Sequence, residues 1–474
     1  MIDAFDVLIE HAGPVCAQQR SMNRLRSHLL GQLVCLGEHT LSGLACVTGQ
    51  QFRDWTATYR FYSRERVDPQ PLFNAVRRDI ETRLAPDQPL IVALDDSILR
   101  KCGRKTPGVA WRPDPLGTPF QINFIRAQRV LQMAAALPEG TQGAARTVPV
   151  DFAQAPSASR PRKTAPPEDW EAFRFQQKEL NINRQAVVRL HALADQRARE
   201  GQTRPLWVAV DGRFTNKTFL KNAPPEAVVI GRIRGDARLY AAVEPSASTA
   251  VGGRPRRYGP ELPTPEALRQ NDQIPWQGVE AYAAGKRHTF KIKTLEAVRW
   301  RVTGAARTLR VIVIAPLGYR LHKGGRMLYR KPAYLICTDP ALPIEQVLQA
   351  YLWRWGIEVN FRDQKTLLGV GQARVRHAEA VQRVPALAVA AYAMLLMAAV
   401  RAHGVIQLPP PAWRKRTPSS HLTTATLINQ LRYELWSDSL RPGLCDFTHT
   451  TPADQKPPKP LPRLESAVLY ALAG

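Results

Sequence analysis

The sequence predicts an α/β fold in which a mixed sheet is covered by helices. Three observations carry this. Two uninterrupted apolar runs, PLIVALDDSIL (89–99) and PLWVAVDGRF (205–214), read as buried central strands that each lead into acids. Between them, residues from about 168 to 200 keep helical spacing. After them come a helix from about 343 to 366 and an alanine-rich helix over PALAVAAYAMLLMAAV (385–400). Strands before a crossover helix, and a strand after it, give a mixed sheet flanked by helices.

In chain order, residues 1–87 read as helices broken at glycine, with apolar residues at helical spacing in LRSHLLGQLVCLG. This stretch is expected to be an N-terminal helical, DNA-binding domain. Its aromatics and arginines (Trp55, Tyr59, Arg60, Phe61, Tyr62, Arg64 and Arg66) suit either DNA contact or the bundle's own core. Residues 88–225 are expected to form the first part of an α/β core, with further strands at QINFIRAQRVLQMAAALP (121–138) and RTVPVDFA (146–153). Residues 226–328 alternate valine-rich runs with Gly/Pro/Arg turns and read as a basic, β-rich insertion. Over 226–330 there are 19 Lys/Arg against 8 Asp/Glu. The core resumes over 329–404, opening with a strand at YRKPAYLICTD. Residues 405–474 are proline-rich and partly helical, with one helix expected at 423–436.

Composition narrows the function. A chain of 474 residues is long enough for two to four domains and a real core. The 66 basic residues exceed the 40 acidic ones by 26, and the pI is near 10.3. A polyanion is the usual partner of such an excess, and nucleic acid is the commonest. The six cysteines are scattered, with no zinc spacing, and read as reduced thiols of a cytosolic protein. The N-terminus carries acids where a signal peptide needs positive charge. The apolar run 385–400 falls short of the roughly 20 residues that span a bilayer, so no membrane is expected.

The chemistry is concentrated in YLWRWGIEVNFRDQK, 351–365. On one continuous helix, at roughly 100° per residue, Tyr351, Arg354, Glu358 and Lys365 share an arc of about 60°. That face joins one carboxylate, a possible metal ligand, to three groups suited to phosphate oxygens. Arg362 lies close to the same face and Asp363 lies off it. An ordinary solvated face would also pair Arg354 with Glu358 at i,i+4. Two earlier acids argue for more than that. Asp95 and Asp96 follow IVAL, and Asp211 follows WVAV, at strand ends where sheets present chemistry. Asp95 and Asp96 point to opposite faces, so only one is expected to be a primary ligand.

The motif matches the Y-x2-R-x3-E-x6-K signature, and the chain from about 90 to 400 resembles the IS4-superfamily DDE transposases. The DDS strand and RPDPLGTPFQINFIRAQR resemble the IS701-like branch. The Asp96-Ser97 dipeptide resembles that family's first catalytic position, which selects Asp96, with Asp95 the runner-up. The resemblance implies an RNase H-like mixed sheet interrupted by the β-rich insertion. It implies that Asp96, Asp211 and Glu358 are catalytic and hold two Mg²⁺ ions, for which Mn²⁺ can substitute. Tyr351, Arg354, Lys365 and Arg362 would then bind DNA. The implied reaction is cleavage at insertion-sequence ends followed by strand transfer, by a homodimer in a synaptic complex with double-stranded DNA. The implied compartment is the bacterial cytoplasm. No GxxxxGK[ST] loop is present, as fits a transesterification that needs no nucleotide. Trp276 and Trp300 are candidates for base stacking within the insertion, although core packing suits each of them better. Two other readings remain open: a non-catalytic DNA-binding regulator, and an RNase H-like nuclease without strand transfer.

Overall fold

A computed structural model describes residues 1–403 and 422–440, apart from 17, 49, 51–54, 65–66, 104, 119, 140–142, 244–256 and 305–306. Arg66 and the expected C-terminal stretches 405–421 and 441–474 lie outside the described residues. Five helices come first: α1 (Ile2–Ala12), α2 (Gln19–Val34), α3 (Leu41–Val47), α4 (Trp55–Ser63) and α5 (Gln70–Glu81). Then follow β1 (Leu90–Arg100), β2 (Val109–Pro113), β3 (Phe124–Glu139), β4 (Ala144–Gln154), α6 (Pro167–Glu179), α7 (Ile182–Arg199) and β5 (Leu206–Val210).

The central run of the sheet has the RNase H-like order β4-β3-β1-β5, continued by β6 (Ala227–Arg232), which follows the short helix α8 (Lys217–Asn222). β3 pairs antiparallel with both β1 and β4, whereas β1, β5 and β6 are mutually parallel. The apolar runs of β1 and β5 are continuous because both faces of the sheet are covered. Leu90, Val92 and Leu94, with Leu206, Val208 and Val210, face the large cluster built with α1, α2, α5 and α7. Ile91 and Trp207 face the opposite way, into a second cluster.

Apart from one short hairpin, the described strands of the expected insertion join the core sheet. β6, inside the stretch expected to be insertion, belongs to the parallel core. The elements β7 (Leu239–Ala241), β8 (Glu261–Leu262), α9 (Pro265–Gln270), β9 (Gln277–Ala283), β10 (Lys286–Trp300) and β11 (Leu309–Ile314) follow. The hairpin β12 (Gly318–Tyr319) and β13 (Leu328–Tyr329) stands apart, and β14 (Ala333–Cys337) returns to pair antiparallel with β6. One twelve-stranded sheet results, ordered β2-β3-β1-β5-β6-β14-β11-β10-β7-β8 with β4 and β9 as side branches.

The motif segment is two helices rather than one. α10 (Ile344–Trp353) ends at Arg354, and α11 (Gly356–Thr366) begins after Trp355. Across the break the backbone makes i→i−3 bonds: Arg354 N to Tyr351 O and Trp355 N to Leu352 O, each 3.2 Å. A tightened turn of this kind rotates α11 relative to α10. Its cause is the neighbouring strand. The Thr147 hydroxyl on β4 donates to the Trp353 carbonyl at 3.4 Å, and a Cβ at position 356 would overlap the Thr147 side chain. Only glycine permits that approach.

α12 (Ala378–His403) is longer than the apolar run suggested. Residues Ala378–Ala402 are long and apolar enough to cross a membrane, yet 89% of their most apolar window is buried inside the protein. The helix packs on α1, α2, α4, α5 and β4. The helices of 1–87 therefore share one hydrophobic cluster with the sheet, and the boundary at 87/88 is a change of secondary structure within a continuous core. α13 (Thr424–Leu440) covers the helix expected at 423–436 and also joins this cluster.

Candidate active site

The aspartates of β1 sit in mid-strand, not at its end. Pairing with β5 stops at Leu94↔Val210, while pairing with β3 runs on to Arg100↔Ala127. Asp95 and Asp211 are thus the next residues of two neighbouring parallel strands. Alternation gives them the side of Ile91 and Trp207, opposite to Leu94 and Val210. The helix pair covers this same side. Val347, Leu348 and Ala350 of α10 pack with Ile91 and Trp207, and Ile357 and Phe361 of α11 pack on Ala93 and Ala134.

Polar ties fix α11 over the acids. Gln364 Nε2 donates to Gln132 Oε1 at 2.9 Å, and Gln132 is the partner of Asp95 across the β1–β3 ladder. Lys365 Nζ donates to Ser97 Oγ at 2.7 Å, two residues beyond Asp95 on the same side of β1. Behind α11, Tyr392 Oη on α12 donates to Asn360 Oδ1 at 3.1 Å.

Arg354 lies at the centre. Its Nη1 is 3.4 Å from Asp95 Oδ2 and its Nη2 is 3.3 Å from Glu358 Oε1. Its guanidinium also lies 5.6 Å from the centre of the Tyr351 ring. Burial and, after it, the neighbouring Asp211 charge together drive the Asp95 carboxyl up to about 7 against the pull of Arg354. Burial raises the Tyr351 phenol too, opposed by Arg354 and Arg232. Burial lowers Lys365, helped by Arg100.

Asp96 has different company. Its Oδ1 accepts from Arg213 Nη1 at 2.8 Å, and its Oδ2 is 3.6 Å from Arg129 Nε. Burial raises its pKa, opposed first by Arg213 and Arg129. The geometry therefore brings Asp95, rather than Asp96, together with Arg354 and Glu358. Arg362 pairs with its neighbour Asp363 at 2.9 Å and is largely exposed. Asp363 is buried and accepts from Thr424 Oγ1 at 2.7 Å, so it serves structure away from the acids.

Other candidates divide similarly. Phe61 and Tyr62 are buried in the core, while Trp55, Tyr59, Arg60 and Arg64 are exposed. Trp276 lies under the Lys293 ammonium at 4.5 Å, and both Trp276 and Trp300 pack against the main cluster. Trp355 was not singled out from sequence. It is 61% exposed at the helix break beside Arg354, a position that only the break reveals.

Among the described residues no three Asp, Glu, His or Cys side chains are close enough to hold an ion. Arg354 bridges Asp95 and Glu358 in place of one. The donor types still suit a hard divalent cation: Arg354 lies against the carboxylates of both Asp95 and Glu358, and Asp211 follows the neighbouring strand beside Asp95.

A mixed sheet whose strand aspartates face a helix glutamate and an arginine is an apparatus for phosphodiester chemistry. The chain belongs to the DDE superfamily endonucleases, whose family model matches residues 15–307. That match takes in Asp95, Asp96 and Asp211 and ends before Tyr351. No curated protein matches the chain. Membership makes DNA the substrate class and the reaction of nuclease or transposase type, a group of enzymes that generally use divalent metals.

Proposed function

We propose that this protein is a DNA transposase of the IS4 superfamily, near its IS701-like branch, working as a homodimer in the bacterial cytoplasm. It cuts the ends of its own insertion sequence and joins them to target DNA. The observation that carries this is Arg354, which reaches from Asp95 on β1 to Glu358 on α11 and ties the strand acids to the signature helix.

Asp95, Asp211 and Glu358 would hold two divalent ions, Mg²⁺ with Mn²⁺ as a substitute. When bound, such ions supply positive charge to the entering and leaving oxygens of an in-line displacement. The protein's own groups orient the strand. Arg354 can grip a phosphate bidentately once released from its carboxylates. Lys365 adds a point charge held toward β1 by Ser97. The Tyr351 hydroxyl can donate to a backbone oxygen, and Arg362 supports the approaching strand from the exposed side. In the first step water oxygen bonds to phosphorus and a 3′ oxygen leaves as a hydroxyl. That hydroxyl then attacks a second phosphodiester and displaces another 3′ oxygen. Each step makes one P–O bond and breaks one.

Asp95 takes the role expected for Asp96, because it shares a side of the sheet with Asp211, Arg354 and the signature helix. The test is cleavage and joining of labelled element ends in Mg²⁺. Glu358→Gln is expected to abolish both and retain DNA binding; full activity in that variant would overturn the reading. Nicks without joined product would identify a hydrolytic nuclease, and binding without nicks a regulator.

A further inference from the structure

The hairpin that spans β12 and β13 is not used by any step above. Residues 318–331, GYRLHKGGRMLYRK, hold five Lys/Arg and no Asp or Glu. Arg320, Lys323, Arg326, Arg330 and Lys331 are all exposed. Among the described residues none of the five has an acidic partner. Arg330 lies 5.2 Å from the centre of the Tyr319 ring, which stiffens the base of the ribbon. Leu321 and Tyr329 are 76% and 70% exposed, far more than a hairpin folded onto its own protein would leave. Among the described residues the two strands pair only with each other, at Gly318↔Tyr329 and Tyr319↔Leu328. Gly324, with φ of 80°, supplies the left-handed residue that turns the tip.

Topology fixes where this ribbon leaves the sheet. β1, β5 and β6 are parallel, and β14 runs against them, with Leu335 opposite Arg232 at the end of β6. β11 in turn runs against β14, with Ile314 opposite Ala333. The end of β11 and the start of β14 therefore lie at the same edge of the sheet as the end of β5, where Asp211 stands. In the order β5-β6-β14-β11 these roots are two and three strand positions from Asp211, or roughly 10–15 Å at about 4.8 Å per strand.

We propose that this hairpin is a second DNA contact. It is a basic ribbon that grips the phosphates and enters a groove of the same duplex whose strand lies over the acids. A two-stranded ribbon has the width of the major groove. Its cations can displace counterions from phosphates, and its exposed Tyr329 and Leu321 offer apolar contact to the groove. The density of positive charge without acids favours a polyanion over a protein partner. This inference rests on the DNA reading above.

The test is a salt titration of duplex affinity for the full chain, using a mixed-sequence duplex and fluorescence anisotropy without divalent metal. The variant is Arg320→Ala, Lys323→Ala and Arg326→Ala combined. The slope of log affinity against log salt is expected to shrink by about 2–3, since each lost phosphate contact removes roughly 0.9. Replacing the two arginines by lysine should preserve the slope. A triple variant with the wild-type slope would overturn the hairpin assignment and leave the transposase reading intact. A wild-type chain that binds no duplex, or binds only anionic vesicles, would overturn both. The hairpin pairs with no other described strand, so the variant should keep the wild-type unfolding transition. Loss of that transition would show that the hairpin serves the fold and would also overturn the assignment.

Discussion

Asp95 and Asp96 are neighbours in the chain but belong to opposite sides of a sheet, and their partners differ accordingly. Asp95→Asn is expected to lower strand cleavage by at least about 10³-fold, the scale on which charged groups at a reacting centre act. Asp96→Asn should cost far less, about tenfold, because it loosens Arg213 and Arg129 rather than the acids beneath α11. Cleavage of a labelled element end measures both, and equal losses would contradict the assignment. Gly356 makes a separate residue-scale point. Gly356→Ala drives a methyl group into Thr147 and should cost about 1–3 kcal/mol of stability by overpacking. Denaturant midpoints should show that loss, with partial recovery when Thr147→Ala is added.

Among the elements, α2 and α4 meet through a buried histidine. His28 Nδ1 lies 3.0 Å from Tyr62 Oη, and the ring stacks on Tyr62 with Phe61 edge-on. Burial, helped by Arg24, pulls its pKa down from 6.5 to about 4. The folded protein thus binds fewer protons than the unfolded chain in this range. The contribution is intact above pH 6.5 and is lost as pH falls toward about 4. The slope should reach at most roughly 1.4 kcal/mol per pH unit. His28→Gln should flatten the stability profile between about pH 6.5 and 5, as chemical denaturation would show. The element scale is also where the sequence is most and least informative. The strands at Leu90 and Leu206 and the helical run over 385–400 were legible because continuous apolar runs leave few alternatives. The choice between Asp95 and Asp96 was not. It depends on which side of β1 the signature helix covers, and with both sides apolar the pattern is silent. The break at Arg354 was equally hidden, since it arises from Thr147, some two hundred residues earlier.

Across the whole molecule, the helices before residue 87 and the sheet after it are one body. Phe5, Leu8, Leu25, Leu29, Phe61, Leu72, Phe73 and Val76 are buried in the cluster that also holds Val92 and Val208. Each such side chain contributes about 1.5–3 kcal/mol on burial, so their joint loss is as large as the roughly 5–15 kcal/mol net stability of a typical fold. A fragment beginning at residue 88 is therefore expected to be insoluble or unfolded, and the full chain should show no separate melting of its N-terminal helices. Calorimetry and limited proteolysis check this; a stable fragment 88–474 would refute it.

The unbroken ladder from β1 through β5, β6 and β14 to β11 has a metric consequence. The hairpin's roots and the acids are points on a single hydrogen-bonded ruler whose graduations are strands. Lengthening the loop after β11 would change how far the hairpin reaches, but not where it starts. The offset between gripped duplex and severed bond is then a property of strand count, and only gain or loss of a whole strand would recalibrate it.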